Sequence, residues 1–174
     1  MTGKRRIDRI TSDAYLEGIA SRSLGEVRSL RDECREEETG LSFERRLLHG
    51  RMDILRAELE RRTGGGESLI DRLAAILAGD DEPSTRGAYP GKDPIIDFDQ
   101  PKRRVEKLIS DDTLANVGTL PADDLEKIIG LLSDAEREVS ESRRAVQRVL
   151  DALNAEIARR YKSGEANPAD MLAT

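Results

Sequence analysis

Two segments far apart in the chain repeat one polar pattern at helical spacing. The pattern is a carboxylate, a hydroxyl, a guanidinium, a hydrogen-bonding side chain and a carboxylate, at offsets zero, four, seven, eleven and fifteen. The first copy is Glu38, Ser42, Arg45, His49 and Asp53, and the second copy is Glu136, Ser140, Arg143, Gln147 and Asp151. At about 100° per residue, these offsets fall on one stripe roughly 80° wide and about 22 Å long. Each segment is therefore predicted to be a helix that carries a polar stripe along one face.

Both stripes stand where a helix pair normally places its apolar seam. On a heptad grid, the first four members of each stripe fall at d, a, d and a, and the last falls at e. Apolar residues flank each stripe on one side: Leu41, Leu48, Leu55 and Leu59 in the first segment, and Val139, Val146, Leu150 and Ile157 in the second. Buried charges need partners, so two facing stripes would form a groove rich in donors and acceptors. We expect the stripes to repel each other, and the helix pair to be loose, when no ligand is bound.

Composition favours long helices and disfavours several other classes. The 174 residues are 37% charged and 3% aromatic with no Trp, which is typical of extended helices or coiled coils. A net charge of -6 argues against direct nucleic-acid binding, and a single Cys34 excludes an internal disulfide and a multi-Cys zinc site. No apolar run reaches the length of a membrane span, and no signal-type region follows Lys4 to Arg6. We expect a cytoplasmic protein with no membrane segment.

Local signals set the expected boundaries of the elements. Ser23 and Glu26 form a capping-box pattern that starts a long helix over residues 24–62, and the glycines at 64–66 end it. Pro121 starts a second long helix over residues 121–163, which Gly164 ends. The arm at 1–23 is expected to be flexible, with a turn of helix near Tyr15 to Ile19, and the tail at 164–174 is also expected to be flexible. The connector at 63–120 is expected to contain helices at 67–78 and 101–109, an exposed stretch at 79–100 and a second connecting stretch at 111–120.

The predicted fold is all-α: an antiparallel two-helix coiled-coil hairpin with short helices in the connector. In that arrangement the stripes run in opposite directions, which creates a pseudo-twofold axis near Arg45 and Arg143. A twofold-symmetric ligand fits such a groove. Carboxylates accept from guanine N1 and N2, and arginines reach guanine O6 and N7 or phosphate oxygens. Gly40 and Gly50 lie beside the first stripe, either as tolerated helix glycines or as room for a bulky group.

The repeated pattern Glu-x3-Ser-x2-Arg-x3-Gln-x3-Asp resembles the cyclic di-GMP signature of the RsiG family of actinobacterial anti-sigma factors. The resemblance covers roughly Leu24 to Arg62 and Pro121 to Tyr161. The second stripe matches in full, and the first departs only at His49, where the signature has Gln. The resemblance implies an antiparallel hairpin that binds two intercalated cyclic di-GMP molecules between its helices through all ten stripe residues. It also implies that the loaded form captures a WhiG-type, flagellar-type sigma factor and so represses sporulation genes.

Other interpretations remain beside this one. A constitutive coiled-coil adaptor without a nucleotide ligand is the main alternative, and a thermal melt with and without cyclic di-GMP would separate the two. An enzyme is not expected, because Cys34 and His49 are fifteen positions apart on one helix and the Glu-x-x-His pairs of di-metal bundles are missing. Glu36 and Glu37 are expected to be solvated and are assigned no role.

A second apolar face lies away from the first stripe. Phe43, Leu47 and Ile54 stand about 140° to 180° from it on the helical wheel. They are expected either to pack under the connector or to form an exposed patch that docks the sigma factor.

Overall fold

The computed structural model describes residues 5–64 and 99–165. Every regular element in these ranges is a helix, and none is a strand. The α-helices are α1 (Arg6–Ile10), α2 (Leu24–Arg62), α3 (Asp99–Leu108), α4 (Asp111–Ala115) and α5 (Ala122–Ser163), with 3-10 turns at Asp13–Tyr15, Ile19–Ser21 and Val117–Thr119. The predicted fold class, a two-helix hairpin of α2 and α5 with short helices in the connector, is confirmed.

Local chemistry sets the ends of the long helices. Ser23 Oγ accepts from the Glu26 backbone N–H at 3.2 Å, and the Glu26 carboxylate accepts from the Ser23 backbone N–H at 2.7 Å. This reciprocal pair satisfies two N–H groups that the first turn of α2 leaves without helical partners. The chain leaves α2 and α5 through Gly64 and Gly164, with φ of 77° and 78°. Glycine is the residue that takes this left-handed conformation without strain.

The chain divides into two compact units, and each contains a section of α2 and a section of α5. The described part of the first unit is residues 5–41 and 141–165, and that of the second is 42–64 and 99–140. In the first unit, Arg28 contacts Tyr161 and Glu38 contacts Arg143. In the second, His49 contacts Glu136. Partner numbers on α5 fall as those on α2 rise, so the helices are antiparallel.

In the first unit, residues 5–22 fold against the long helices, which differs from the flexible arm expected at 1–23. Ile10 is fully buried and Tyr15 is 6% exposed. The Tyr15 hydroxyl lies 2.8 Å from Glu33 Oε2 and 3.1 Å from the Leu30 carbonyl oxygen. The sequence of this segment has no sustained apolar period, but Ile10 and Tyr15 are the two apolar side chains that it buries. The core it joins contains Val27, Cys34, Leu41, Val146, Leu153 and Ile157.

Arg160 of α5 also holds this segment. Its guanidinium donates to the carbonyl oxygens of Ile19 and Arg22, both at 2.7 Å, and to Glu156 Oε1 at 2.7 Å. The residue is only 6% exposed. A buried guanidinium needs several acceptors, and here the backbone of the arm supplies two of them.

In the second unit, two arginines of α2 attach the connector. Arg51 donates to the Ile109 carbonyl oxygen, to Glu106 Oε2 at 2.9 Å and to Asp111 Oδ1 at 2.7 Å. Arg62 donates to the carbonyl oxygens of Leu120 and Val117, at 2.5 and 3.0 Å. The core of this unit contains Leu48, Met52, Leu55, Ala57, Val105, Ile109, Val117, Leu125, Leu132 and Val139.

The connector is more ordered near α5 than the sequence indicates. Residues 111–120, expected only as a second connecting stretch, contain α4 and a 3-10 turn, and Ser110 Oγ accepts from the Thr113 backbone N–H as an N-cap. The helix expected at 101–109 begins two residues earlier, at Asp99. The helix expected at 67–78 lies outside the described residues, as do 79–98 of the expected exposed stretch and 166–174 of the tail.

Candidate functional site

The first unit contains a polar cluster built on Glu38, which we call the Glu38 cluster: Glu38, Arg143 and Gln147. Glu38 Oε1 accepts from Arg143 Nε at 2.9 Å and from Gln147 Nε2 at 3.0 Å. The side chains of Glu38 and Arg143 are 22% and 30% exposed, so solvent reaches the pair. One carboxylate oxygen therefore takes charge-assisted hydrogen bonds from two members of the opposite stripe.

The second unit contains a corresponding Glu136 cluster: Glu136, His49 and Ser140, with Arg45 nearby. Glu136 Oε1 lies 3.1 Å from His49 Nε2 and accepts from Ser140 Oγ at 2.7 Å. Burial alone would raise the pKa of Glu136, but the hydrogen bonds from Ser140 and His49 and the positive charge of Arg45 outweigh burial and lower it. Glu136 is consequently held as a carboxylate.

The two clusters use corresponding positions of the stripes. In each, the first residue of one stripe, Glu38 or Glu136, contacts the fourth residue of the other, Gln147 or His49. The same contact recurs in both units because the two copies of the pattern run in opposite directions, but the register differs from the expected axis near Arg45 and Arg143, which would place first positions opposite fifth ones. The expectation that unliganded stripes repel is wrong within each unit, because the antiparallel order places a carboxylate opposite a donor.

The third residues of the stripes differ in their contacts. Arg143 donates through Nε to Glu38. The Nε atom of Arg45 is buried and has no hydrogen-bond partner within residues 5–64 and 99–165. A buried N–H donor without an acceptor is unfavourable by roughly 1–3 kcal/mol. The Glu136 cluster thus contains a donor that a ligand oxygen or nitrogen would satisfy.

Asp53, Asp151 and Ser42 complete the two stripes. Asp53 pairs along its own helix with Arg56, with Oδ1 3.5 Å from Nη1, and its side chain is 42% exposed. Asp151 is exposed, and Ser42 is half-buried. The structure thus brings Glu38, Arg143 and Gln147 together in one unit, and His49, Glu136 and Ser140 in the other, and leaves the two terminal aspartates at the surface.

The second apolar face of α2 is partly covered. Phe43, Leu47 and Ile54 are all half-buried. On the same side of α2, Arg104 of α3 pairs with the buried Glu44 at 3.0 Å, and Arg51 holds the end of α3. Both alternatives for this face, packing under the connector and docking of the sigma factor, therefore stay predictions.

Other chemistry is sparse in the described residues. Within 5–64 and 99–165, no group of three His, Cys, Asp or Glu side chains is placed to hold a metal ion, and no helix is long and apolar enough to cross a membrane. Cys34 is fully buried, with Sγ 3.7 Å from the Tyr15 hydroxyl oxygen. Burial raises the pKa of the Cys34 thiol, which suppresses its nucleophilic thiolate form.

Several arginines that organise the units carry no signal in the sequence. Arg51, Arg62 and Arg160 bind backbone carbonyl groups, and Arg6 and Arg9 of the arm pair with glutamates of α2. Their partners are distant in sequence, and a carbonyl acceptor carries no residue signature. No sequence signal could have identified these contacts.

The chain is similar to a known protein family. The sequence model of a family described as RsiG-like matches residues 13–77 and 111–174 of this chain. The matched regions include both polar stripes, whereas α1 and α3 lie outside them. A search of curated proteins found no match to the chain.

Proposed function

Because the chain belongs to the RsiG-like family, we propose that it is an anti-sigma factor that binds cyclic di-GMP and, when loaded, sequesters a WhiG-type sigma factor. Family membership indicates the anti-sigma role and a sigma-factor partner. The nucleotide, the sigma type and repression of sporulation genes are the finer part of the proposal. The observation that carries it is the matched use of both stripes: Glu38 and Glu136 each bind the fourth residue of the opposite stripe.

The clusters have the chemistry that guanine and phosphate require. Glu38 and Glu136 are acceptors suited to the guanine N1 and N2 protons. Arg143 and Arg45 are fixed-charge donors suited to guanine O6 and N7 or to phosphate oxygens. Arg45 also has an unsatisfied buried Nε, so a ligand acceptor there would remove an existing penalty. We propose two cyclic di-GMP molecules as the ligand, held by the ten stripe residues.

Ligand binding has to replace the existing contacts within each cluster. The Arg143–Glu38 and His49–Glu136 contacts occupy the groups that the nucleotide would use. The nucleotide offers both kinds of partner, since its guanine edges donate to carboxylates and its phosphates accept from arginine. When contacts to the nucleotide replace the contacts within a cluster, few polar groups are left without a hydrogen-bond partner, and the side chains presented to a sigma factor change. If the sigma factor binds the exchanged state better, ligand and sigma factor strengthen each other's binding by the same factor.

The alternative function is a constitutive coiled-coil adaptor without a nucleotide ligand. The observation that favours it is that Glu38 and Glu136 already have partners within their own units. Such pairs can be purely structural. A ligand titration separates the two functions, because such an adaptor does not bind the nucleotide.

The test is titration of the purified chain with cyclic di-GMP, with binding measured by calorimetry and by the shift in melting temperature. A specific ligand raises the melting temperature by mass action. Arg143→Ala should weaken binding by about 1.5–3 kcal/mol, the value of hydrogen bonds to a charged group, while helix content is retained. Arg144→Ala is the matched control, because Arg144 is the exposed neighbour of Arg143 on α5. Equal affinities for the two folded variants would refute the site assignment.

A further inference from the structure

An acidic run on α2 stands directly before Glu38. Glu33, Glu36 and Glu37 all lie within about one and a half turns of the carboxylate at the centre of the Glu38 cluster. From the sequence, Glu36 and Glu37 are expected to be solvated. In the structure, all three glutamates pair with arginines of the segment at residues 5–10, which we call the basic arm.

The contacts of the basic arm are specific. Arg6 Nη1 donates to Glu36 Oε2 at 2.9 Å, and Arg6 Nε lies 3.7 Å from Glu37 Oε2. Arg9 pairs with Glu33. The Glu37 and Glu33 side chains are 16% and 20% exposed, so these carboxylates are partly removed from water. The guanidinium groups of Arg6 and Arg9 thus bring two positive charges to a stretch of α2 that carries three glutamates and one arginine, Arg35.

The basic arm is fixed by packing as well as by charge. Ile10, which follows Arg9 directly, is fully buried in the first unit. Tyr15 and Arg160 hold the chain that continues from it. The guanidinium groups of Arg6 and Arg9 therefore have a defined position beside α2, as opposed to belonging to a mobile charged tail.

The acidic run matters for the proposed ligand because cyclic di-GMP is an anion, with a negative charge on each phosphodiester. Uncompensated glutamates next to Glu38 would repel it. For charges about 10 Å apart, each unit pair changes affinity by roughly twofold in water before salt screening. The effect is long-ranged, so it requires no contact between the arm and the ligand.

We propose that the basic arm is an electrostatic clamp, in which Arg6 and Arg9 neutralise the acidic run and thereby raise the affinity of the Glu38 cluster for anionic cyclic di-GMP. This inference rests on the proposed function. It adds positioning residues that lie outside the region matched by the RsiG-like family, which begins at residue 13. Anything that lifts the arm from α2 would lower nucleotide affinity at this cluster.

The test compares Arg6→Gln/Arg9→Gln with the wild-type chain by calorimetric titration with cyclic di-GMP at two ionic strengths. We expect affinity to fall roughly fivefold at about 10 mM salt and about twofold at about 0.15 M, because screening shortens the Debye length from about 30 to about 8 Å. The matched control is Arg103→Gln/Lys127→Gln, which removes the same charge from side chains that are 76% and 73% exposed. That control should lose less affinity than Arg6→Gln/Arg9→Gln at both ionic strengths, and an equal loss would refute a specific role of the arm.

A rescue variant shows whether the basic arm raises affinity through its charge or only by supporting α2 mechanically, which we call bracing. Adding Glu36→Gln/Glu37→Gln to the Arg6→Gln/Arg9→Gln chain removes the uncompensated carboxylates and should restore the wild-type affinity and its salt dependence. If affinity is lost equally at both salts and is not rescued, the arm acts by bracing and the clamp is refuted. Unchanged affinity in Arg6→Gln/Arg9→Gln also refutes the clamp alone. A wild-type chain that does not bind cyclic di-GMP refutes the proposed function, and the clamp with it.

Discussion

Arg51→Met tests how the connector is attached to α2. The Arg51 side chain is 8% exposed and donates to three acceptors: the Ile109 carbonyl oxygen, Glu106 and Asp111. Methionine keeps much of the apolar stem and removes the charge and the donors. The two carboxylates, 38% and 67% exposed, regain water in the variant, so losing those bonds has a small effect. The Ile109 carbonyl belongs to a residue that is 4% exposed, and it loses this partner.

The magnitude follows from that difference. An unsatisfied buried acceptor destabilises by about 1–3 kcal/mol, and each partly exposed ion pair adds up to about 1 kcal/mol. We expect Arg51→Met to lower the free energy of unfolding by about 2–4 kcal/mol, measured by urea denaturation followed by circular dichroism. Arg51→Lys should recover little, because one ammonium group cannot reproduce a fork that reaches three acceptors. Arg103→Met, at a 76% exposed position, is the control. A loss below about 0.5 kcal/mol would show that Arg51 does not anchor the connector.

Three further predictions concern the helix glycines Gly50 and Gly130, the Glu58 carboxylate, and His49, which stands where the signature has Gln. A Cβ at Gly50 or Gly130 meets no atom within 4 Å, so Gly→Ala at either position should stabilise the folded protein by about 0.5–1 kcal/mol in thermal melts. If the ligand needs room beside the first stripe, Gly50→Ala should also weaken cyclic di-GMP binding and Gly130→Ala should not. Hydrogen bonds from Arg61 and Arg62 lower the pKa of Glu58 to about 2. The ionised Glu58 therefore stabilises the folded protein at pH values above the usual glutamate pKa, and this stabilisation is lost as pH falls from about 5 toward 2. Glu58→Gln should flatten that part of the stability–pH curve, and an unchanged slope would contradict this account. His49→Gln restores the full signature and should keep cyclic di-GMP affinity within a few-fold of wild type in calorimetric titration, because an amide can also hydrogen-bond to Glu136; a larger loss would show that the imidazole itself is needed.

The sequence by itself determined the local features. The capping box at Ser23 starts α2, and Gly64 and Gly164 follow the ends of the long helices, because these signals act within a few residues. The repeated offsets also predicted which side chains share a helix face, since helical geometry fixes that relation. Two matching stripes on antiparallel helices implied a twofold relation between them but not its register: the sequence placed the axis near Arg45 and Arg143, whereas Glu38 contacts Gln147, so the axis lies between the serine and arginine positions.

Only the tertiary structure decided which charged groups pair with one another. The basic arm, the anchors Arg51 and Arg160, and the difference between Arg143 and Arg45 depend on partners that are far away in sequence or are backbone carbonyl groups. An arginine has a long side chain and a donor fork that accepts many geometries, so its partner depends on the packing of elements around it. The Glu36–Glu37 run shows this most clearly: its residue types are those of a solvated surface, and folding of residues 5–22 places arginines on it.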